Sequence, residues 1–572
     1  MRCASSRHWR RQRVRVLSEL RHPFNGWTLG VGAIALLVAT PILVVVTHLF
    51  TGWGQTAGQE SGSVWQHLAK TVLPTYIQNS LLLMLGVGLT VLIVGTTAAW
   101  LVTVCRFPGS RWLEWLLLLP LASPAYLLAY IYSEFLDYYG GVQLALRGWF
   151  GWQSAQDYWF PEIRSLGGAI LLLALSLYPY VYLLARVAFL EQSSRTLEAS
   201  RSLGCNPWQA FWQVALPLAR PSLAAGLALA LMETLSDFGT VEFFGIPTFT
   251  TGIYRTWLGM GERTAALQLA AVLLLFIVVL IAIERGSRNQ ARYYQGATNQ
   301  QPFSPYRLGW VHTGLAWLVC GLPVGLGFGL PLVLIVQMTL QNTTENFTAN
   351  FWELTQNSLL LASLTAILGV SLALVMAYGQ RLQPTGTMAL LVRLASLGYA
   401  VPGTVIAVGI LMPLGQFDNW LADGLAAQFD MQVGLLLSGT IAALLFAYLV
   451  RFLALSFNTV ESSLGKIQPS LDDAARSLGH SPLQTLWRIH VPLLRGGVLT
   501  AVMLLFVDVM KELSATLVIR PFNFETLATQ VYRYAADERL VEAAAPALAI
   551  LVVGIVPVIF LTVQVARSRP VA

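Results

Sequence analysis

The chain has 572 residues, of which 56% are hydrophobic and only 11% are charged. A soluble protein of this length has too much surface to cover with so few charged side chains, so lipid must cover much of it. The formal charge of +7 comes from basic residues that are spread along the chain, which argues against a nucleic-acid partner. The four cysteines lie far apart without a CxxC pair, so we predict neither a disulfide framework nor a zinc site.

The amino end is basic and precedes an apolar run from Trp27 to Phe50. This run is long enough to span a bilayer and has no convincing small-residue cleavage site, which favours a retained membrane helix over a signal peptide. Arg10 and Arg11 fit a positive-inside anchor better than an export signal.

Apolar stretches of about 20 residues predict an all-α polytopic membrane protein with about twelve transmembrane helices. If the amino terminus is inside, most of the 35 Lys and Arg residues fall in cytoplasmic segments, so both termini are predicted to be cytoplasmic. The predicted spans are 27–50, 77–104, 113–136, 166–190, 222–243, 264–284, 313–338, 355–379, 388–413, 434–457, 498–519 and 541–565.

Several motifs occur twice. "QNSLLL" opens a helix at Gln78–Leu83 and again at Gln356–Leu361, and "SPAY" at Ser123–Tyr126 corresponds to "VPGT" at Val401–Thr404. An even number of helices separates the copies, which predicts two parallel six-helix repeats related by an axis along the membrane normal. The predicted organisation is a cytoplasmic tail at 1–26, a first half at 27–284 (core about 76–284), a cytoplasmic linker at 285–312, a second half at 313–565 (core about 354–563) and a tail at 566–572.

The most informative repeat is a polar loop, "EASRSLGCNPWQAFWQVALP" at Glu198–Pro217 and "DAARSLGHSPLQTLWRIHVP" at Asp473–Pro492. Each copy has an acid, two small residues, a Gly and a closing Pro at the same spacing. This predicts a short helix broken at the Gly and a second one that starts at Asn206-Pro207 or Ser481-Pro482 and stops at the closing Pro. An amphipathic connector without a special function is the alternative. The predicted loop residues are Glu198, Ala199, Ser200, Gly204 and Pro217, and Asp473, Ala474, Ala475, Gly479 and Pro492.

This pattern resembles the "EAA" loop of ATP-binding-cassette importer permeases, with Ser200 in place of the second Ala and Asp473 in place of Glu. The resemblance implies the type I importer fold, a bacterial plasma (inner) membrane location and two copies of an ATPase subunit that dock on the loops and bind ATP-Mg. The chain itself is predicted to be a transport subunit and not an enzyme, because the one Gly-Lys pair, Gly465-Lys466, lacks the rest of a phosphate-binding GxxxxGK[ST] loop. No cofactor is predicted on this chain.

Two further stretches, Phe238–Trp257 and Lys511–Tyr532, together with Ala535–Leu548, resemble ferric-iron permeases that have both pore halves in one chain. The resemblance implies Fe(III) as the transported substrate and a periplasmic ferric-iron-binding protein as a partner on the outer face. Fused permeases for thiamine, polyamines or phosphonates share this architecture and remain alternatives. A gradient-driven secondary carrier and a structural or signalling membrane protein are alternatives of a different class.

Acids at i, i+4 spacing follow each loop, Glu233 with Asp237 and Asp508 with Glu512, at a constant offset of 275 residues. Residues four apart share a helix face, and acids at this depth in a span usually face a pathway or a partner. Because ferric iron prefers oxygen ligands, these four acids are candidates for the translocation path. Helix–helix hydrogen bonds or pairing with Lys511 are the structural alternative.

The stretch "YSEFLDYYGG" is predicted to lie on the outer face. Its carboxylates and phenols could receive ferric iron briefly, although aromatic residues at an interface more often form an anchoring belt. The candidates are Glu134, Asp137, Tyr138 and Tyr139. No stable structural metal site is predicted.

Overall fold

The computed structural model describes residues 26–51, 60–191, 200, 202–289, 306–341, 347–429, 434 and 436–567. Helices dominate them, as predicted. In chain order to residue 289 the elements are α1 (Gly26–Thr51), α2 (Glu60–Thr71), α3 (Leu73–Val104), β1 (Cys105–Arg106), α4 (Ser110–Leu116), a 3₁₀ turn (Leu119–Ala122), α5 (Ala125–Leu136), α6 (Gly141–Phe150), α7 (Leu166–Glu191), α8 (Pro207–Ala210), a π turn (Phe211–Ala215), α9 (Leu216–Ser236), α10 (Gly239–Phe243), α11 (Phe249–Tyr254), a π turn (Arg255–Gly259) and α12 (Arg263–Asn289).

The second part of the chain begins with β2, which pairs in parallel with β1 through two residues on each side. Its elements are β2 (Tyr306–Arg307), α13 (Trp310–Val324), a π turn (Gly325–Gly329), α14 (Leu330–Gln341), α15 (Ala349–Leu382), α16 (Gly386–Ala395), a 3₁₀ turn (Leu397–Ala400), α17 (Gly403–Phe429), α18 (Ile441–Leu464), α19 (Ser470–Ser477), α20 (Pro482–Thr485), a π turn (Leu486–His490), α21 (Val491–Leu493), α22 (Arg495–Met510), α23 (Ser514–Ile519), α24 (Leu527–Ala536) and α25 (Leu540–Arg567).

Ten helices in the described residues are long and apolar enough to cross a membrane, and two bent pairs raise the number to as many as twelve. This agrees with the predicted polytopic fold. The bent pairs are residues 110–150, with a 90° bend, and 482–510, with an 81° bend. The prediction of one uninterrupted helix over 113–136 is therefore wrong. The chain breaks before Pro124, whose ring removes a backbone donor and restricts the residue before it.

The carbonyl left without a helical donor at this break finds another partner. The hydroxyl of Ser176 on α7 donates to the carbonyl oxygen of Ser123 at 2.7 Å. Non-helical backbone at membrane depth needs such partners, because lipid offers none. The repeated "SPAY" motif therefore marks a break, and its counterpart "VPGT" likewise lies between a 3₁₀ turn and the start of α17.

The chain forms two compact units, each built from separated stretches of sequence. The first comprises residues 1–44, 361–400 and 409–509, and α18 packs in it against the 3₁₀ turn at Leu397–Ala400. The second comprises 45–360, 401–408 and 510–572, and its centre is formed by α3, α7 and α9. The first loop belongs to the second unit, and the second loop belongs to the first unit.

Candidate functional site: two loops and the central acids

Both loops have the same local fold around their glycine. Gly204 has a φ of +86° and Gly479 a φ of +79°, a left-handed conformation that costs glycine little. The amide after each glycine donates to a carbonyl five residues back, at 3.0 Å in the first loop and 3.1 Å in the second. This is a glycine-terminated helix end, and it confirms the predicted break at each glycine.

A capping box starts the second helix of each loop. The side chains of Asn206 and Ser481 accept the backbone N–H of Gln209 and Gln484, at 2.8 and 3.3 Å. Each glutamine returns the contact by accepting the backbone N–H of the capping residue, at 3.0 and 3.1 Å. The predicted starts at Asn206-Pro207 and Ser481-Pro482 are confirmed. The glutamines were not predicted, although their position three residues after the cap is the usual signal.

The remaining predicted loop residues are placed as follows. Glu198 and Ala199 lie outside the described residues. Ser200 and Ala475 are buried, whereas Asp473 and Ala474 are exposed. The carboxylate of Asp473 lies 3.4 Å from the guanidinium of Arg476 on the same exposed face of α19. In the second loop, the acid and the first small residue therefore face outward, and the second small residue packs inward.

Each loop also exposes large apolar side chains at three equivalent positions. All six are at least 52% exposed. They are Leu203, Trp208 and Trp212 in the first loop and Leu478, Leu483 and Trp487 in the second. Apolar side chains grouped on an exposed surface commonly mark a place where another molecule binds, and here the group occurs twice.

The closing prolines behave differently in the two copies. The prediction that the second short helix stops at the proline is wrong for the first loop, where Pro217 lies within one helical run from Pro207 to Ser236. In the second loop the helix ends at Leu493, one residue after Pro492, and bends by 81°. A π turn precedes each proline, at Phe211–Ala215 and Leu486–His490. Its looser hydrogen bonding accommodates a residue without an N–H.

A buried ionic cluster attaches the second loop to α15 and α18. Asp472, which immediately precedes the loop, accepts Nε of Arg381 at 2.8 Å and lies 2.7 Å from its Nη2. The other carboxylate oxygen lies 2.7 Å from Nε2 of His490. Arg381 also donates to the carbonyl oxygens of Leu464 and Ile467, at 2.8 and 3.0 Å. One guanidinium thus joins the ends of α15 and α18 to α19.

The charges in this cluster determine its electrostatics. Burial would raise the pKa of Asp472, but the hydrogen bonds and positive charge of Arg381, with the hydrogen bond from His490, outweigh it and hold this pKa below its ordinary value. Nδ1 of His490 has no hydrogen-bond partner in the part of the chain that the structure describes. Asp472 was not predicted; the sequence motif drew attention to its neighbour, Asp473.

In the described part of the first loop, the contacts with the membrane helices include a cluster of aromatic rings. Trp100 on α3 lies between Phe189, near the end of α7, and Phe211 in the loop, with ring centroids 5.6 and 5.1 Å apart. All three side chains are buried. The residues equivalent to Asp472 and His490 are Leu197 and Ala215, neither of which has an ionisable side chain.

The four predicted path acids do not share helix faces in pairs. Glu233 and Asp508 lie on α9 and α22, but those helices end at Ser236 and Met510, before Asp237 and Glu512. The expectation that each pair projects from one helix is therefore wrong. The i, i+4 spacing is present, but the helix stops between the two acids.

Asp237 and Glu512 each stand one residue before the N-cap of the short helix that follows and accept hydrogen bonds from its first turn. Asp237 accepts the backbone N–H groups of Thr240 and Val241, at 3.1 and 3.2 Å, and the Thr240 hydroxyl at 3.0 Å. Glu512 accepts the backbone N–H of Ala515 at 2.8 Å and a neighbouring serine hydroxyl at 3.0 Å. Both carboxylates satisfy orphan donors at a helix start. They do so at equivalent positions in the two halves.

The segments that follow these caps meet within the second unit. A Cβ atom added at Gly239 would lie 2.6 Å from Cβ of Tyr126 and 2.8 Å from a methyl group of Leu513. The hydroxyl of Tyr126 donates to the carbonyl of Lys511 at 3.4 Å. The rings of Tyr254 and Tyr532 pack against Phe238 at 4.8 and 5.8 Å. This convergence of segments from both halves agrees with the predicted repeat.

The "QNSLLL" motif has a structural role that the sequence did not reveal. Nδ2 of Asn79 donates to the carbonyl of Pro247 at 2.9 Å, and Nδ2 of Asn357 donates to the carbonyl of Glu525 at 3.2 Å. Each asparagine thereby holds the loop before α11 or α24. Those helices begin with matching threonine capping boxes.

The outer candidate residues lie around the end of α5. Glu134, Asp137 and Tyr139 are exposed, and Asp137 accepts the backbone N–H of Tyr138 at 2.8 Å. The guanidinium of Arg147 lies 3.9 Å from the ring centroid of Tyr138, so a cation already covers that aromatic face. Within the described ranges, no three His, Cys, Asp or Glu side chains come close enough to hold a metal ion.

Two segments of the chain, residues 91–286 and 368–570, match the family described as binding-protein-dependent transport system inner membrane component. The Fe(3+)-transport system permease protein FbpB 2 of Haemophilus influenzae is 26% identical over 95% of this chain and 98% of its own length. The putative ferric transport system permease protein FbpB 1 of the same organism is 24% identical over 87% of this chain and 77% of its own. The molybdenum transport system permease protein ModB of Escherichia coli is 30% identical over 34% of this chain and 87% of its own length.

Proposed function

Because the chain belongs to the family of binding-protein-dependent transport system inner membrane components, we propose that it is the permease of an ATP-binding-cassette importer for ferric iron. Two family segments in one chain favour a permease that supplies both halves of the pore. The substrate proposal rests on two relatives, named for ferric transport, that align with most of this chain. A shorter relative named for molybdenum aligns with about a third of it.

The observation that carries the energy-coupling part of the proposal is the repeated loop. Both copies place the same capped, glycine-broken fold at equivalent positions, and both expose three large apolar side chains. The same three exposed apolar positions in both copies support a surface on which a partner docks. Two ATPase subunits would dock on these loops from the cytoplasm and hydrolyse ATP-Mg, while a periplasmic ferric-iron-binding protein delivers the ion on the other face.

The proposed path for iron uses the carboxylates at the centre of each half. Fe(III) is a hard cation that prefers oxygen donors. The candidates for this path are Glu233, Asp237, Asp508 and Glu512, of which Asp237 and Glu512 also accept hydrogen bonds from the helices that follow them. A path with these acids would repel oxyanions such as molybdate or sulfate, whereas a polyamine would suit it.

Reconstitution tests the function. The purified chain in proteoliposomes, with the ATPase and binding protein of the same genome, should import radioactive Fe(III) only when ATP is supplied, and an excess of thiamine or spermidine should not compete. Uptake without any ATPase would favour a gradient-driven carrier and refute the proposal. Competition by thiamine or spermidine would keep the importer class and change its cargo.

The membrane orientation has its own test, because Cys205 lies in the first loop and is partly accessible, whereas Cys105 and Cys320 are buried. In a Cys3→Ser background, a membrane-impermeant maleimide should label Cys205 in inside-out vesicles and spare it in right-side-out vesicles. The bound ATPase should protect it. Labelling from the outer face would contradict the proposed orientation.

A further inference from the structure

The described residues of the two loops contact the membrane helices through different groups. In the second half, Arg381, Asp472 and His490 form a buried ionic cluster. In the first half, Trp100, Phe189 and Phe211 form an aromatic cluster, and the first half's buried ion pair between Glu114 and Arg186 joins α4 to α7.

We propose that Asp472 is a positioning residue for energy coupling, fixing α19 so that movement of the ATPase on the second loop reaches α15, α18 and α22. This inference rests on the proposed function. Asp472 is 6% exposed and faces inward, so it is not available to the docking partner. Its neighbour Asp473 is exposed and faces outward. Of the two adjacent acids, Asp472 therefore holds α19 from its buried face, and Asp473 is available to the docking partner on its exposed face.

The geometry supports transmission of movement rather than simple burial. Arg381 donates to the carboxylate of Asp472. It also donates to the carbonyl oxygens of Leu464 and Ile467, which fix the orientation of its guanidinium group. His490 binds the second oxygen of the same carboxylate from the far end of the loop. The two carboxylate oxygens are thus held by two different segments, one by α15 and the other by the π turn that ends at His490. A shift of this helix must move its partners or break charge-assisted bonds, which are the stronger and more directional kind.

The neighbouring side chains complete the attachment. The ring of Tyr378 on α15 lies 5.2 Å from the ring of His490, and both are almost fully buried. In the first half, the equivalent residue Arg106 follows α3 in strand β1, where it is exposed and its backbone pairs with Arg307. Among the residues that the structure describes, the ionic attachment is seen at the second loop.

The first half supplies the residues for the test. The double variant Asp472→Leu with His490→Ala installs the residues found at 197 and 215 and leaves no buried carboxylate or imidazole without a partner. Arg381 is 16% exposed and keeps its two carbonyl acceptors, so its charge retains contact with water. Asp423→Asn, which changes an exposed carboxylate on α17, is the matched control. Asp472→Glu keeps the charge and should restore part of the function.

Two measurements are needed. Hydrogen exchange of residues 470–477 in the full chain in nanodiscs should rise in the double variant and remain unchanged in Asp423→Asn. In proteoliposomes of the complete complex, iron imported per ATP hydrolysed should fall about fivefold or more, the lower end of typical coupling effects, while the ATPase still binds.

Only the combination of faster exchange and reduced coupling supports the proposal. Faster exchange with normal iron per ATP would make the cluster merely structural, and reduced coupling with unchanged exchange would place the effect elsewhere. If the double variant does not accumulate, Arg381→Lys, which keeps the charge and loses the planar fork, carries the same two measurements and the same criteria. Failure of the importer assignment would appear separately, as wild-type uptake that needs no ATP.

Discussion

The caps formed by Asp237 and Glu512 give a prediction that separates a structural carboxylate from an ion ligand. Replacing Asp237 by Ala removes the acceptor of two backbone N–H groups and one hydroxyl. Loss of an N-cap costs about 1 kcal/mol, and each buried donor left without a partner costs about 1–3 kcal/mol. Thr240 is fully buried. Because three donors lose their acceptor, we expect the free energy of unfolding to fall by at least about 3 kcal/mol.

Asp237→Asn keeps one carbonyl oxygen as acceptor, so its loss should be only about 1 kcal/mol. The assay is reversible unfolding of the purified chain in mixed micelles with increasing dodecyl sulfate. Asp537→Ala, which removes an exposed carboxylate after α24, is the control and should change stability by less than about 0.5 kcal/mol. If the Ala and Asn variants are both as stable as the wild type while iron uptake is lost, the capping argument is refuted and direct ion contact is favoured.

Gly479→Ala should lower the stability of its loop by about 1–2 kcal/mol, because its φ is +79°. Gly204→Ala should lower the stability of the first loop by a similar amount. The rate of proteolysis at each loop measures both effects. Asn79→Ala and Asn357→Ala should each cost about 1 kcal/mol in the micelle assay, and a large inequality would contradict their equivalent hydrogen bonds. The pKa of Asp472 is below its ordinary 3.8. The stability that ionised Asp472 contributes is therefore fully present above pH 3.8 and is lost as the pH falls through the lower pKa of the folded state. We expect the hydrogen-exchange protection of α19 to be unchanged between pH 7 and pH 5. Loss of protection in that range would argue against an ionised cluster.

The helical class could be predicted from the sequence because a helix that spans a bilayer needs a long apolar stretch. The repeat could be predicted because the same motifs occur in both halves. The breaks were harder to see. Pro124 was a signal for the first break, but the hydropathy averaged over about 20 residues does not show a single proline. Between Met510 and Ser514 there is neither proline nor glycine, and the helix ends because Glu512 caps the next one.

The candidate site shows a second limit. Comparing the copies finds what they share, such as Asp473 and Gly479, and passes over what differs. Asp472 was missed for that reason, since its counterpart is Leu197. The difference itself was the available signal: a carboxylate in one copy and an apolar residue in the other, beside an otherwise matched loop. Its partners, Arg381 and His490, lie too far away in sequence for spacing alone to connect them.

The unequal attachment of the loops also bears on how such a chain can evolve. In a pore assembled from two identical polypeptides, one gene specifies both loops, so every substitution appears twice. Joining the halves removes that constraint, and each copy can then accumulate changes suited to its own surroundings. Leu197 and Asp472 record such a divergence at one aligned position. The two loops keep the same backbone fold around their glycines, whereas some of their side chains differ.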